Sequence, residues 1–361
     1  MPRRLALLSL LVALAALVPA AVAGAHRDRS HDSDKSPEVV ASGLDNPRGL
    51  DIGAWGTIYV TEAGRGGDGP CLTGPEGDSV CAGATGAVTA ASHGKQWRIV
   101  DGLPSIAAPG GNGALGPSDI SIPRSGDAYL TVGLGADPAA RAALGDLGPG
   151  FGQLYKLSRH GRLRTVADIA GFEATENPDL GEHDSNPHSV LSAWGRQVVV
   201  DAGGNSLLSV GWSGKVSTLA VFPQASADAP QAVPTSVVVG PDGALYVGQL
   251  TGFPFIKGTA NVFRIVPGKA PEVYAGGFTN ITGIEFDRRG NLYVLEFAAN
   301  GIMSGDPAGA LIKVRRDGSR ETVASEGLVS PTGIAISRSG DIYVSNHGAE
   351  AGAGEVLRFS R

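Results

Sequence analysis

Six segments of this chain repeat one pattern: a turn residue, an apolar strand, a glycine-containing turn, and a second strand centred on Tyr. They begin at Pro47, Pro117, Pro187, Pro234, Ile281 and Pro331. The second strands are centred on Tyr59, Tyr129, Val199, Tyr246, Tyr293 and Tyr343, twelve residues on in every copy. A spacing held six times marks one supersecondary unit stacked on itself. Each copy adds a third strand, at 86–90, 153–157, 206–210, 261–265, 311–314 and 355–359, and five add a fourth, at 98–101, 165–168, 217–221, 272–275 and 321–324. The sixth copy runs out of chain at Arg361, and its missing strand is supplied from the other end. Val39-Val40-Ala41-Ser42-Gly43-Leu44 matches Thr322-Val323-Ala324-Ser325-Glu326-Gly327-Leu328. The expected fold is all-β, a six-bladed β-propeller of four-stranded antiparallel blades, its ring closed by the N-terminal strand completing the last blade. Residues 36–361 form that one domain, and a closed ring without free edges is expected to be a monomer.

The copies are unequal in length, and insertions on a repeat architecture collect on one face. The first two span 70 residues each, against 47 to 50 for the next three. The extra chain lies at 63–85, 133–152 and 172–186, and Asp137–Leu147 reads as a short helix. Trp55 and Trp194 precede matching glycines in copies one and three and are expected to pack between blades. Asp242, Asp287 and Asp341 belong to turns, where carboxylates cap backbone N–H groups.

Arg3 and Arg4, an apolar run from Leu5 to Val18 and the small residues Ala21-Val22-Ala23 read as a signal peptide, residues 1–23. Residues 24–35 are charged and without apolar periodicity, and read as a disordered tether. The apolar run is short for a bilayer span, so no membrane anchor is expected after cleavage. Removing residues 1–23 takes away two arginines and no acid, moving the formal net charge from −6 to −8. That balance argues against nucleic acid as a partner. Export to an oxidising compartment predicts a disulfide between the only cysteines, Cys71 and Cys81, the alternative being two free thiols.

Several segments are more specific than a generic propeller repeat. They are 43–49 (Gly-Leu-Asp-Asn-Pro-Arg-Gly), 61–67 (Thr-Glu-Ala-Gly-Arg-Gly-Gly), Asn177-Pro178-Asp179, Asp184-Ser185-Asn186-Pro187, Asp201-Ala202-Gly203-Gly204-Asn205, the run from Val233 to Phe255, and Gly277-Phe278-Thr279-Asn280. Together they resemble the ScyD/ScyE family, over essentially the whole mature chain. The resemblance implies a secreted propeller related to NHL-repeat proteins. It implies no particular reaction or ligand.

In a propeller the first strand of each blade lines the central channel. The residues just after each start are Arg48, Ser118, His188, Thr235, Thr282 and Thr332, and those three beyond each central Tyr or Val are Glu62, Val132, Ala202, Gln249, Glu296 and Asn346, with Asp201 and His347 adjacent. Arg48, Glu62, His188, Asp201, Gln249, Glu296, Asn346 and His347 are therefore the candidate ligand-binding residues of the channel mouth. Calcium or magnesium is the cation such oxygens would hold. Propellers similar to virginiamycin B lyase use a His and Glu pair with a divalent cation, which makes His188 and Glu296 the candidate catalytic pair. Lactonase-like propellers place carboxylate and amide ligands at the blade starts, where this chain has Arg48 and three threonines, a poor cation cage. The competing reading is that the mouth residues bond the backbone and stitch the ring. Two functions fit: a non-catalytic extracellular binding or scaffold protein contacting a small molecule, glycan or protein, and a cation-assisted lyase or hydrolase.

Overall fold

A computed structural model describes residues 36–73, 79–123, 126–222, 224 and 229–360. Residues 1–35, expected to be signal peptide and tether, lie outside the described residues. Six antiparallel sheets form the blades of a six-bladed β-propeller. The innermost strands are Pro47–Ile52, Pro117–Ser121, Pro187–Ala193, Pro234–Val239, Ile281–Phe286 and Gly333–Ile336, in blades 1 to 6. Successive inner strands pack side by side around the channel.

Blade 6 is completed by the N-terminal strand Glu38–Leu44, antiparallel to Gly354–Phe359 with Glu38 opposite Arg358 and Leu44 opposite Gly354. Ala41 and Leu44 from this strand enter an apolar cluster with Val356 and with Leu50, Ile58 and Val60 of blade 1. The first and last blades are thus joined through both backbone and core.

Apolar residues at the third place after each start go between blades. Leu50, Ile120, Val190, Val237, Ile284 and Ile334 each sit in a separate interblade cluster. The repeated tyrosines lie there too: Tyr246 packs with Ile284 and Val294 of the next blade, and Tyr293 with Ile334 and Val344. Blade 3 departs from this register. Trp194 and Gly195, with φ of 49° and 73°, make a two-residue turn in which Ala193 faces Arg196. Such a turn needs positive φ at both positions and is shorter than the turns of the other blades. Val198 therefore takes the tyrosine's place, packing with Val237 of blade 4, while Val199 faces the cluster shared with blade 2. The residue in step with Glu62, Gln249 and Glu296 is accordingly Asp201, opposite Pro187, and not Ala202.

The described parts of the insertions carry secondary structure of their own. In blade 1 the third and fourth strands lengthen into Ser79–Ser92 and Lys95–Ala107, and Cys71–Thr73 pairs with Ser79–Cys81 at the end of this hairpin away from its turn. Cys71 and Cys81 form the expected disulfide. The expected helix appears as 3-10 turns over Pro138–Gly150, with Asp137 Oδ1 accepting from the Ala139 N–H at 2.8 Å. Leu144 and Phe151 of this segment pack with Ala82, Ile106 and Ala170, so the insertions of blades 1 and 2 share one apolar core. Trp55 and Trp194 do not pack between blades. They sit at the tips of the turns between first and second strands and are 95% and 61% exposed. Among the described residues no helix is long and apolar enough to cross a membrane.

Deleting residues 36–44 removes the outer strand of blade 6 and uncovers the edge at 354–359. The expected outcome is aggregation and loss of a cooperative thermal transition, read by size-exclusion chromatography with light scattering and by a circular dichroism melt. A monomer with an unchanged midpoint would contradict ring closure by this strand.

Candidate functional site

The residues just after the blade starts form a ring of hydrogen bonds, each blade reaching the next. An Arg48 guanidinium nitrogen donates to the Ala114 carbonyl at 2.6 Å, Ser118 Oγ to the His188 carbonyl at 2.9 Å, and His188 Nδ1 to the Thr235 carbonyl at 2.7 Å. Thr235 Oγ1 donates to the Ile281 carbonyl at 2.7 Å, Thr282 Oγ1 to the Pro331 carbonyl at 2.9 Å, and Thr332 Oγ1 to the Pro47 carbonyl at 2.7 Å. The circle is complete. Burial, and then the charge of Arg48, lower the His188 pKa to about 4, so the imidazole is neutral with its proton on Nδ1.

A second set of polar side chains closes the entry to four of the six blades. Glu62 accepts from the Asp45 N–H at 2.9 Å, from Thr89 Oγ1 at 2.6 Å and from Arg98 at 2.7 Å. Asp201 accepts from the Asn186 N–H at 2.6 Å and Ser185 Oγ at 2.7 Å. Glu296 accepts from the Thr279 N–H at 2.7 Å, and Asn346 Oδ1 from the Val329 N–H at 2.7 Å. Each of the four thus clamps the one or two residues that precede its own blade's first strand. Gln249 instead holds Asn261, and His347 Nδ1 lies 3.1 Å from Glu350 Oε1. Burial raises the pKa of Glu62 and Glu296, and that of Asp201 to about 6.

His188 lines the channel and Glu296 does not; among the described residues no hydrogen bond joins them. The oxygens of Glu62, Asp201, Glu296 and Asn346 are directed to separate loops, so this ring does not fit a shared cation. Among the described residues no three His, Cys, Asp or Glu side chains are grouped as a metal site.

The channel holds three carboxylates that counting from the blade starts does not place there. With the residue three places after each start turned into the core, those two and four places after it turn to the channel, and there stand Asp119, Asp51 and Glu285. Asp119 accepts from Ser189 Oγ at 2.7 Å and from the Val190 N–H at 2.9 Å, and Asp51 from the Ile122 N–H at 2.6 Å. Gly49 makes room for this: a Cβ there would lie 2.0 Å from Asp119 Oδ1. Burial raises Asp51 to about 6, and raises Asp119 and Glu285 to about 7, with the Asp51 charge adding to both. An acid inside an otherwise apolar first strand was the available signal. The cavity they line is about 120 Å³. That admits a handful of waters, whereas small-molecule sites run from roughly 300 to 1,000 Å³.

No family model matches the sequence, and no curated protein matches it. Solved structures similar to the chain include a streptogramin B lyase, at 14% identity and TM-score 0.51, covering 89% of this chain and 96% of that one. A protein of unknown function from Bacteroides thetaiotaomicron aligns at 12% identity and TM-score 0.55, over 90% of this chain and 72% of its own. A calcium-binding protein, regucalcin, from Agrobacterium tumefaciens aligns at 14% identity and TM-score 0.50, over 89% and 93%. At these identities the likeness establishes the six-bladed fold alone.

The channel acids make stability depend on pH in a definite direction. A carboxylate whose folded pKa lies above its unfolded value stabilises fully below the unfolded value, near 4, and loses that contribution as pH rises through 6 to 7. His188 acts oppositely, lowering stability as pH falls from about 6.5 toward 4. Comparing Glu285→Gln with the parent isolates one group. The variant should be more stable by about 1–2 kcal/mol at pH 8, after discounting for channel water, and equal at pH 4.5, by urea titration. A difference independent of pH would remove Glu285 as a buried titrating group.

Proposed function

We propose that this chain is a secreted binding propeller of the ScyD/ScyE family, contacting an extracellular small molecule, glycan or protein through its loop-bearing face. One observation carries the reading. On the face where the inner strands begin, polar side chains of the mouth are engaged in backbone clamps, while apolar ones on the surrounding loops are free. Phe253 and Ile256, between the second and third strands of blade 4, and Met303, in the corresponding loop of blade 5, are exposed. The two loops are tied by Lys257 Nζ donating to Asn300 Oδ1 at 3.0 Å. Phe253 stands edge-on to Phe255, ring centroids 6.2 Å apart. Exposed apolar side chains on loops held by a rigid ring are what a contact surface requires.

The disulfide and the six-fold rigid scaffold suit an extracellular protein. Cleavage after Ala23 would give a mature chain beginning at Gly24, which intact mass of the protein from culture fluid checks directly. The channel supports chemistry less well, because its cavity admits little beyond water and its histidine is held neutral in the stitching ring.

The test is a glycan-array and metabolite-binding screen of the mature protein. A hit should weaken at least ten-fold in a Phe253→Ser, Met303→Ser double variant and hold its affinity in His188→Gln. Conversion of a bound compound by the parent protein, abolished in His188→Gln or Glu296→Gln, would replace this reading with the cation-assisted enzyme.

A further inference from the structure

Away from the channel, one group of side chains has no part in the stitching ring. The insertion leading into blade 3 begins as an α-helix, Ile169–Glu176, and continues through turns to Asp184. Glu173 lies on the buried face of that helix with Ile169 and Ala170 and is 1% exposed. Its Oε1 has no hydrogen-bond partner. Asp184 Oδ1 and Asn177 Oδ1, from the same insertion, are likewise buried and unpartnered. All three are acceptors. Leaving such atoms without donors is unfavourable, and more so where they carry charge.

The opposite wall is the Gly203-Gly204 turn of blade 3. A Cβ at Gly204 would lie 2.5 Å from Glu173 Oε2, and one at Gly203 would lie 2.8 Å from Asp184 Oδ1. Both carboxylates therefore pack directly against two successive glycines, and at Gly203 the Asp184 and Ser185 backbone is as close as the carboxylate. The neighbouring acids are already engaged: Asp201 by Ser185, Asn186 and Gly204, and Asp179 by the Gly181 N–H and Asn205 Nδ2. Burial first, and then Asp201, Asp179 and Asp184, raise the Glu173 pKa to about 8. Asp184 is raised well above its usual range by burial and by Asp201, Glu182, Asp137 and Asp179. The largest charges acting on the pair are negative.

We propose that Glu173 and Asp184 are the carboxylate ligands of a calcium ion seated against the Gly203-Gly204 turn. Water would relieve the unpaired acceptors and leave the charge uncompensated; a divalent cation does both. Both proposed ligands are hard carboxylate oxygens of the kind calcium accepts. With two carboxylates and no third acid grouped with them, water and neutral oxygens must complete the shell. Calcium tolerates such an irregular set, whereas magnesium demands a near-ideal octahedron. Weak affinity, on the order of 10⁻⁴–10⁻³ M as in extracellular modules, follows from so few charged ligands. Bound there, the ion would tie the blade 2–3 insertion to the top of blade 3.

The test uses the mature protein after EGTA treatment. Calorimetry with calcium chloride should give one site per chain, with magnesium at least ten-fold weaker. Hydrogen exchange should show calcium-dependent protection at residues 173–186 and 201–205. Glu173→Gln and Asp184→Asn should each weaken calcium at least ten-fold, and Glu285→Gln, in the channel, should leave it unchanged. Absence of binding, protection confined to the channel strands, or full affinity in the Glu173 and Asp184 variants would each overturn the site. The exchange experiment needs no variant, so misfolding of a substituted chain does not affect its outcome.

Discussion

Everything in this molecule depends on closing a ring whose two ends are 285 residues apart where Thr332 bonds Pro47. Loop closure over that length is entropically unfavourable, and non-local pairing must offset it. Two devices do so in concert. The strand at 38–44 supplies a ladder and two buried side chains, and six side chains at equivalent places each donate to the following segment of backbone. At about 1 kcal/mol per hydrogen bond the second device is modest in energy. Its larger effect is geometric, because each bond fixes the angle between one blade and the next.

That geometry explains why the polar side chains of the mouth are engaged with backbone. A hydroxyl or imidazole that must donate to a carbonyl across the blade boundary is oriented along the ring, and a carboxylate that must receive the N–H groups ahead of a strand is oriented into its own loop. Glu62, Asp201, Glu296 and Asn346 repeat one job in four blades with three residue types. His188 occupies the place of a threonine. Residue chemistry that reads as catalytic in isolation is here one solution to a repeated structural requirement.

The fold was legible because a period of strands is written in turn residues and apolar alternation, which survive divergence of everything else. The match between 39–44 and 322–328 even disclosed the closing strand. Blade 3 was misread by one place because a two-residue turn replaced a longer one, and a count of twelve residues cannot distinguish a shorter turn from a shorter strand. Trp55 and Trp194 were misplaced because a glycine neighbour signals a tight turn at least as strongly as close packing. The channel acids were hidden for another reason. Near the start of five of the six inner strands the pairing slips, so alternation counted from the first residue puts the wrong set of side chains on the channel.

A site with unsatisfied acids and a site with satisfied ones make different demands on the same scaffold. In the channel, Asp51 and Asp119 are surrounded by donors, and what remains unfavourable is their charge. At the rim, one oxygen each of Glu173 and Asp184 is buried without a donor beside other acids, and the adjoining backbone is kept free of side chains by Gly203 and Gly204. Protonation can relieve the first arrangement without moving an atom. For the second it removes charge but leaves acceptors unpaired, so a ligand that is itself positive and accepts several oxygens is the better complement. The blade 2–3 insertion is thus where this regular ring leaves an interaction incomplete.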